Sequence, residues 1–400
     1  MKSNKKNILY IFHVSFIGGG SLCLLNLIKA LDKDVFKPIV LLKALGPLCV
    51  ELEKAGATVI IESSLNTVPY NKSLYKLSSI KQVIKTLFSI WKVKYWIGRF
   101  NPEIVHINTM MMYFYTIPAK KLGKKVIIHA REHWPIDENK FQLKYAQKII
   151  KKNTDLIIAI NNTSASVINI PEKTEIIYDW IDFKERDSFI DFKILFGNDY
   201  NKLKVFLFLG GISKIKGLME ITNAFNDNLL GHDTRLLIVG CDSKEISFKG
   251  LRGKIKKILH LFKYFSFSDK FKMIAQKNEN IVCIPSTIQV KSLIEQSYCT
   301  IAYPTMPHAI LPIAESIFLG KPVLSANTPE ALEYSDDGNG ANLFEINNNV
   351  DFIKKLTYVY ENEKDIYTKA VGSQNTIKNK FSMHNNTEKL NKLYKKLLIC

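Results

Sequence analysis

Short apolar runs rich in β-branched residues alternate with amphipathic stretches twice along this chain, and that alternation limits the fold more than any other feature. The first series reads ILYIFHV, FKPIVLLKA, ATVIIES, EIVHINT, KVIIHA and LIIAIN. The second reads KVFLFLGG, TRLLIVG, NIVCIP, CTIAYP and KPVLSA. Near-continuous apolar strands separated by helices predict parallel sheets covered on both faces. A chain of 400 residues exceeds one ordinary core. The expected architecture is therefore α/β, with two doubly wound, Rossmann-like domains facing across a cleft. The first domain spans 1–180, a polar, irregular linker 181–202, and the second domain 203–375. A terminal amphipathic helix at 376–400 is expected to pack back toward the first domain. Ligands of such sheets sit at the carboxyl ends of the strands, so the loops there are where chemistry is expected.

Composition narrows the partners. Six cysteines without a CxxC pair or a neighbouring histidine cluster fit reduced thiols in a cytoplasmic protein and argue against a zinc site. The net charge of +19 admits nucleic acid, anionic lipid or an acidic substrate. Arginine is scarce, limited to Arg99, Arg131, Arg186, Arg235 and Arg252, while Lys, Ile and Asn abound. A nucleic-acid reader leans on arginine, whose fork matches phosphates and guanine edges, so nucleic acid is not an expected partner. Residues 1–180 hold 26 Lys and Arg against 13 Asp and Glu, which concentrates +13 of the charge in the first domain. Between Glu62 and Glu103 there is no acid at all. Within 75–100, Leu77, Ile80, Ile84, Leu87, Trp91 and Tyr95 share helical spacing, with Lys81, Lys85 and Lys92 on another face. That pattern suits a helix resting on anionic headgroups, and equally a surface helix packed on a sheet. The basic stretch KGLRGKIKKILHLFKYF at 249–265 carries the same two readings.

No lysine, arginine or acid lies between Lys6 and Lys29, a length that spans a bilayer. Gly18-Gly19-Gly20 interrupts it, ILYIFHV has the character of a strand and LCLLNLIKAL that of a helix. A strand–loop–helix is expected there rather than a signal anchor.

Four stretches carry candidate chemistry. Gly18-Gly19-Gly20 follows the first strand and opens a helix, as a tight turn or as a place where backbone approaches a phosphate or sugar. Cys23 stands where the dinucleotide fingerprint needs its third glycine, and no acid closes the second strand, which argues against NAD. FLGGISKIKG at 208–217 repeats the arrangement, with Gly210 and Gly211 ahead of Lys214 and Lys216; each lysine is either a solvated surface group or a pyrophosphate contact. HAREHW at 129–134 ends a buried strand with His129, Arg131, Glu132 and His133, a density of polar groups expected to face the cleft. Finally, PHAILPIAESIFLGKPVLS at 307–325 places Glu315 near a helix start ahead of a turn and a buried strand. The acid either binds ligand hydroxyls or complements the helix dipole from the first turn.

The order of elements, and above all residues 205–344, resembles the retaining glycosyltransferases of family 4, enzymes of the GT-B fold. Their donor motif, E-x-F-G-L-P-x-x-E-A followed by G-x-P-V, is matched here by Leu311-Pro312, Glu315 and GKPVLS. EALEYSDDGNGANLFE and IIYDWID resemble two further family segments, and HAREHW an H-x-R-E segment of the acceptor domain. The resemblance implies that Glu315 holds the ribose of a nucleotide sugar, UDP- or GDP-linked. It also implies that the helix start at 311–313 and Lys216 meet the diphosphate; from the two glycine loops, Gly19, Gly20, Gly210 and Lys214 are expected beside the donor. Departures are equally plain: the family's first glutamate aligns with Pro307, its Phe-Gly with Ala309-Ile310, its arginine with Gly211, and its Asn-Gly with Asp179-Trp180. A Pro-His variant of the motif would give His308 a sugar contact.

The expected activity is thus hexosyl transfer from a nucleotide sugar to a hydroxyl with retained configuration, needing no metal or other cofactor. His129, with Arg131 and Glu132 shaping its pocket, would orient the reactants in a front-face reaction. The acceptor is expected to be a lipid-linked glycan of a bacterial surface polysaccharide, met by a cytoplasmic protein peripheral to the inner face of the plasma membrane. A non-hydrolysing sugar-nucleotide epimerase of the same architecture and a catalytically silent partner protein are the competing readings.

Overall fold

The computed structural model describes residues 5–68, 77–132, 134, 140–183, 189–226, 229–241 and 265–399. The chain divides into two compact units, Met1–Trp180 with Phe381–Cys400, and Ile181–Lys380.

In the first unit the described strands are β1 (Lys6–Phe12), β2 (Phe36–Leu42), β3 (Thr58–Ile61), β4 (Ile104–Ile107), β5 (Lys125–Ala130), β6 (Leu156–Ala159) and β7 (Thr174–Ile176). They form one sheet in the order β3-β2-β1-β4-β5-β6-β7, with every pairing parallel. Successive side chains of a strand point to opposite faces. Leu9 and Ile11 of β1 enter one core with Ile39, Leu41, Val105 and Ile128, while Ile8, Tyr10 and Phe12 enter another with Val40, Leu42, Ile127 and Ile158. Both faces being covered, the strands read as continuously apolar, as expected. The segment after Lys6 is a strand, an extended turn at Gly18 and a helix Gly19–Ala30 that buries Leu24, Leu25, Leu27 and Ile28. Among the described residues no helix is long and apolar enough to cross a membrane.

The terminal helix, Met383–Ile399, belongs to this unit and puts Leu390 and Tyr394 into the second core. There the Tyr10 hydroxyl donates to that of Tyr394 (3.2 Å), which stands 2.7 Å from His106 Nδ1.

The second unit holds β8 (Lys204–Phe208), β9 (Thr234–Val239), β10 (Ile281–Ile284), β11 (Cys299–Ala302), β12 (Val323–Ala326) and β13 (Asn342–Phe344). Their order is β10-β9-β8-β11-β12-β13, again all parallel. Residues read as linker carry a short helix here, Phe192–Phe196. Phe192 is fully buried beside Val205, Leu207 and Leu237. The Phe192 amide donates to Gln296 Oε1 (3.0 Å). Phe192 and Phe196, four apart, give one turn an apolar side that the surrounding charges hide.

Replacing Tyr394 by Phe keeps the ring in place but strips the hydroxyl from Tyr10 and from His106 Nδ1. Stability should fall by about 1–3 kcal/mol, read as a lower urea midpoint with an unchanged slope.

Candidate functional site

In the second unit the strand order reverses between β8 and β11, so the loops leaving their carboxyl ends diverge and open a crevice. A pocket lies there, lined by Gly210, Lys216, Tyr303, Pro304, His308 and Pro312 among others. Its two walls are tied backbone to backbone. The Thr305 amide donates to Ile215 O (3.0 Å). Gly217 sits at φ +70°, and a Cβ there would collide with the Tyr303 carbonyl. Only glycine tolerates both that dihedral and that approach.

Lys216 is half-buried, and burial holds its ammonium below the ordinary lysine range. No carboxylate pairs with it among the described residues. Lys214, two residues earlier, is exposed and does not line the pocket. His308 Nδ1 donates to Met306 O (2.9 Å), which makes Nε2 the acceptor of the neutral ring.

The helix Leu311–Phe318 follows with Pro312 at its second position and no side-chain cap. Pro312 carries no N–H, and the Ile313 amide is engaged by Ile310 O (3.1 Å), so the donor capacity of 311–313 rests on Leu311. Glu315 falls in the second turn and is 7% exposed. The reading of Glu315 as a first-turn acid complementing the dipole is therefore replaced: the first turn contains no acid.

In the first unit the strand order reverses between β1 and β4. The HAREHW cluster stands at the carboxyl end of β5, and its described side chains are buried or half-buried; His133 lies outside the described residues. His129 is 3% exposed, and its Nδ1 lies 3.4 Å from Arg131 Nη2. Arg131 donates from Nη1 to both Asp179 oxygens, at 2.6 and 2.5 Å, and from Nε to Asn108 Oδ1 (3.2 Å). Burial works against the guanidinium charge, yet Asp179, together with Cys23 and Glu132, more than offsets it and holds Arg131 above its ordinary range. Glu132 accepts from Thr109 Oγ1 and from the Met110 amide (2.8 Å). Burial still raises its carboxyl above the ordinary value. His129, Arg131, Asp179 and Cys23 line a pocket together with Trp180 and Leu390.

Gly19 and Gly20 are exposed, and a Cβ added at Gly19 would meet nothing within 4 Å. The residue that needs to be glycine in this region is Gly46, where a Cβ would collide with the Ser15 carbonyl. There the Leu48 amide donates to Ser15 O (3.0 Å), pinning the loop after β1 to the one after β2. Sequence reading missed Gly46, Asp179 as the partner of Arg131, and Tyr394; only GP ahead of a helical run hinted at the first. Among the described residues no group of three or more His, Cys, Asp or Glu converges as a metal set would.

Residues 17–185 match the model described as Glycosyltransferase Family 4, and residues 192–378 the model described as Glycosyl transferases group 1. The chain is a glycosyltransferase of the GT-B fold. Both models describe transferases, in line with the expected transfer activity. Among solved structures it is similar to Anabaena HepE, described in complex with UDP-glucose, at 16% identity and a TM-score of 0.74 over 98% of this chain and 100% of that one. It is similar also to a glycosyltransferase from Rickettsia africae (19%, TM-score 0.72, 99% of each chain). A third is a sucrose-phosphate synthase from Thermosynechococcus elongatus (11%, TM-score 0.70, 99% and 100%). No curated protein sequence matches the chain.

The glycosyltransferase keeps three imidazoles neutral inside its first unit. Burial, helped by Lys43, lowers His13 to about 4; burial and then Arg131 lower His106 to about 3 and His129 well below its usual value. The unfolded chain binds these protons near pH 6.5, and the folded enzyme only far lower. The stability they contribute is therefore full above about pH 6.5 and is lost as pH falls toward the folded values, by about 1.4 kcal/mol per unit for each histidine. A His129→Gln enzyme should show a stability slope between pH 6.5 and 5 shallower by about one proton, measured by urea unfolding.

Proposed function

We propose that this glycosyltransferase moves a hexosyl group from a UDP- or GDP-linked donor to a hydroxyl with retention of configuration. The acceptor is a lipid-linked glycan of a bacterial surface polysaccharide, reached from the cytoplasmic side of the plasma membrane. The observation that carries the donor reading is the pocket at the β8–β11 reversal, where Gly210, His308 and Pro312 converge with Lys216, a half-buried cation that has no acidic partner among the described residues. A diphosphate supplies the missing negative charge. The fold shared with HepE, whose structure is described with UDP-glucose, supports the same reading.

In this proposal Lys216 and the Leu311 amide hold the diphosphate as leaving group, an arrangement that stabilises charge developing as the C1–O bond breaks. The acceptor oxygen bonds to C1 on the face the diphosphate leaves, and its proton passes to the departing phosphate oxygen. No enzyme carboxylate acts as nucleophile in such a front-face step. Glu315 accepts from the ribose hydroxyls, and His308, through Nε2, accepts from a hydroxyl of the sugar. Gly19 and Gly20 leave room for a ligand, and Lys214, exposed two residues before Lys216, adds diffuse positive charge. His129 is a positioning residue, and Arg131 and Glu132 keep the loops after β5 and β4 in shape. The proposal includes membership of a variant subgroup of retaining family 4, on the strength of the Pro-His form of the donor motif at Pro307-His308.

Calorimetric titration of the intact enzyme with UDP and with GDP tests the donor site. One nucleotide should bind with a micromolar Kd, and Lys216→Ala and Glu315→Ala should each weaken it by about tenfold or more. An intact enzyme that binds neither nucleotide would sink the proposal.

A further inference from the structure

The helix Leu77–Phe100 is apolar on two opposite faces, although one core requires only one. Thr86, Ser89, Val93 and Ile97 are buried, and Val83, Ile90, Trp96 and Phe100 pack against the first core. On the far side Ile80, Ile84, Leu87, Phe88, Trp91 and Tyr95 remain 45–74% exposed. At about 100° per residue these six fall within an arc about 100° wide, and at a rise of ~1.5 Å they form a strip roughly 22 Å long. Scattered single apolar residues on a surface need no explanation, whereas a continuous strip marks an interaction site.

The borders of the strip identify its occupant. Lys81, Lys85, Lys92 and Arg99 line one edge and Lys94 the other, all exposed. The helix contains no acid. The Arg99 Nη1 donates to Tyr95 O–H (3.3 Å), and Lys94 Nζ lies 5.8 Å from the Trp91 ring centre, so cationic heads stand beside aromatic bodies. A symmetric pairing of two copies through this strip would bring lysine rows together with no acid on either helix to neutralise them. An anionic bilayer offers what the strip requires, hydrocarbon for the six apolar side chains and phosphates for the cations. Trp and Tyr are the side chains that settle at such an interface.

Position supports the same occupant. The helix leaves β3 and leads into β4, so its first turns, with Ile80 and Ile84, lie toward the carboxyl edge of the sheet. Gln82 Nε2 donates to Thr67 Oγ1 there (2.9 Å), and Phe141 and Tyr145 are exposed on the helix that follows the carboxyl end of β5.

We infer that the first unit docks on an anionic membrane surface by laying the Ile80–Ile84–Leu87–Phe88–Trp91–Tyr95 strip into the headgroup region, with its basic borders on lipid phosphates. This deepens the lipid-linked acceptor reading and rests on it for purpose, though the docking itself is measured without any sugar chemistry.

The test is co-sedimentation of the full chain with phosphatidylcholine vesicles and with vesicles containing about 30 mol % phosphatidylglycerol. The anionic vesicles should bind it at least about tenfold more tightly, with a blue shift of tryptophan emission, and Phe88→Ser with Trp91→Ser should abolish both. Lys81→Glu with Lys85→Glu and Lys92→Glu should remove the preference for anionic lipid. Because all five side chains are exposed, melting temperature and nucleotide binding should stay as in the parent enzyme. A parent enzyme that binds nucleotide yet stays in the supernatant with both vesicles would overturn the docking while leaving the donor site intact. The reverse result, vesicle binding without nucleotide binding, keeps the docking and removes the donor reading. A dimer that the Phe88 and Trp91 substitutions dissociate, with no vesicle binding, would make the strip a contact between copies and overturn the inference.

Discussion

Each sheet is closed by apolar cover on both faces, and the rest of the molecule follows from that. A strand such as β1 sends Leu9 and Ile11 into one core and Ile8, Tyr10 and Phe12 into the other, leaving no solvated face on which polar chemistry could sit. Polar groups are driven to the strand ends. At the ends, only the point where strand order reverses leaves space between neighbouring loops. In the second unit that point is β8–β11, and the pocket with Lys216 and His308 is found there. Gly217 against the Tyr303 carbonyl then keeps the two loops in contact, so the cation has a fixed wall to stand on.

The first unit shows what breaking this rule involves. His106 and His129 project from within β4 and β5 and are essentially buried, where an unpaired polar group costs about 1–3 kcal/mol. A hydroxyl chain from Tyr10 through Tyr394 satisfies His106 Nδ1, and Arg131 reaches His129 Nδ1. Arg131 brings a charge that must itself be neutralised, and Asp179 does so with both oxygens. Two features that look unrelated in the sequence, the arginine of HAREHW and the Asp-Trp that replaces Asn-Gly, are thus one interaction. A buried pair of this kind adds little net stability over an apolar substitute, and breaking it leaves an uncompensated charge. Its value lies in fixing the loop after β5 relative to the segment after β7.

Strand periodicity made the fold readable, because a parallel sheet writes its burial into consecutive residues. The alternation of β-runs and helices anticipated both doubly wound sheets, and missed only the edges. β7 and β13 are three residues each and carry Glu175 and Asn342, too short and too polar to stand out. Charged surroundings likewise hid the turn at Phe192. Where local motif and position coincide, the sequence pointed to Gly210, Lys216, His308 and Pro312, which line one pocket of the candidate site. What could not be read is what depends on distant partners: Tyr394 on His106, Asp179 on Arg131, Gly46 against Ser15. Two apolar faces on the helix Leu77–Phe100 posed a related difficulty, since periodicity finds both faces without telling which one meets the core.

Gly211, where family resemblance expects an arginine, acquires a structural cause. Its φ is +63°, a region that costs a side-chain-bearing residue about 1–2 kcal/mol. Its amide donates to Val239 O (3.0 Å), and a Cβ would lie 3.4 Å from the Gly240 carbonyl. Gly240 is left-handed as well, and its own Cβ would come within 2.9 Å of Gly211 Cα. The loops after β8 and β9 are therefore packed glycine on glycine, closer than two ordinary residues allow. An arginine at 211 would have to hold that left-handed backbone, at the cost just given. With glycine at that position, the half-buried charge beside the pocket is Lys216, and burial lowers its basicity. An anion arriving there would remove that penalty, which couples occupancy of the pocket to the stability of the loop that forms it.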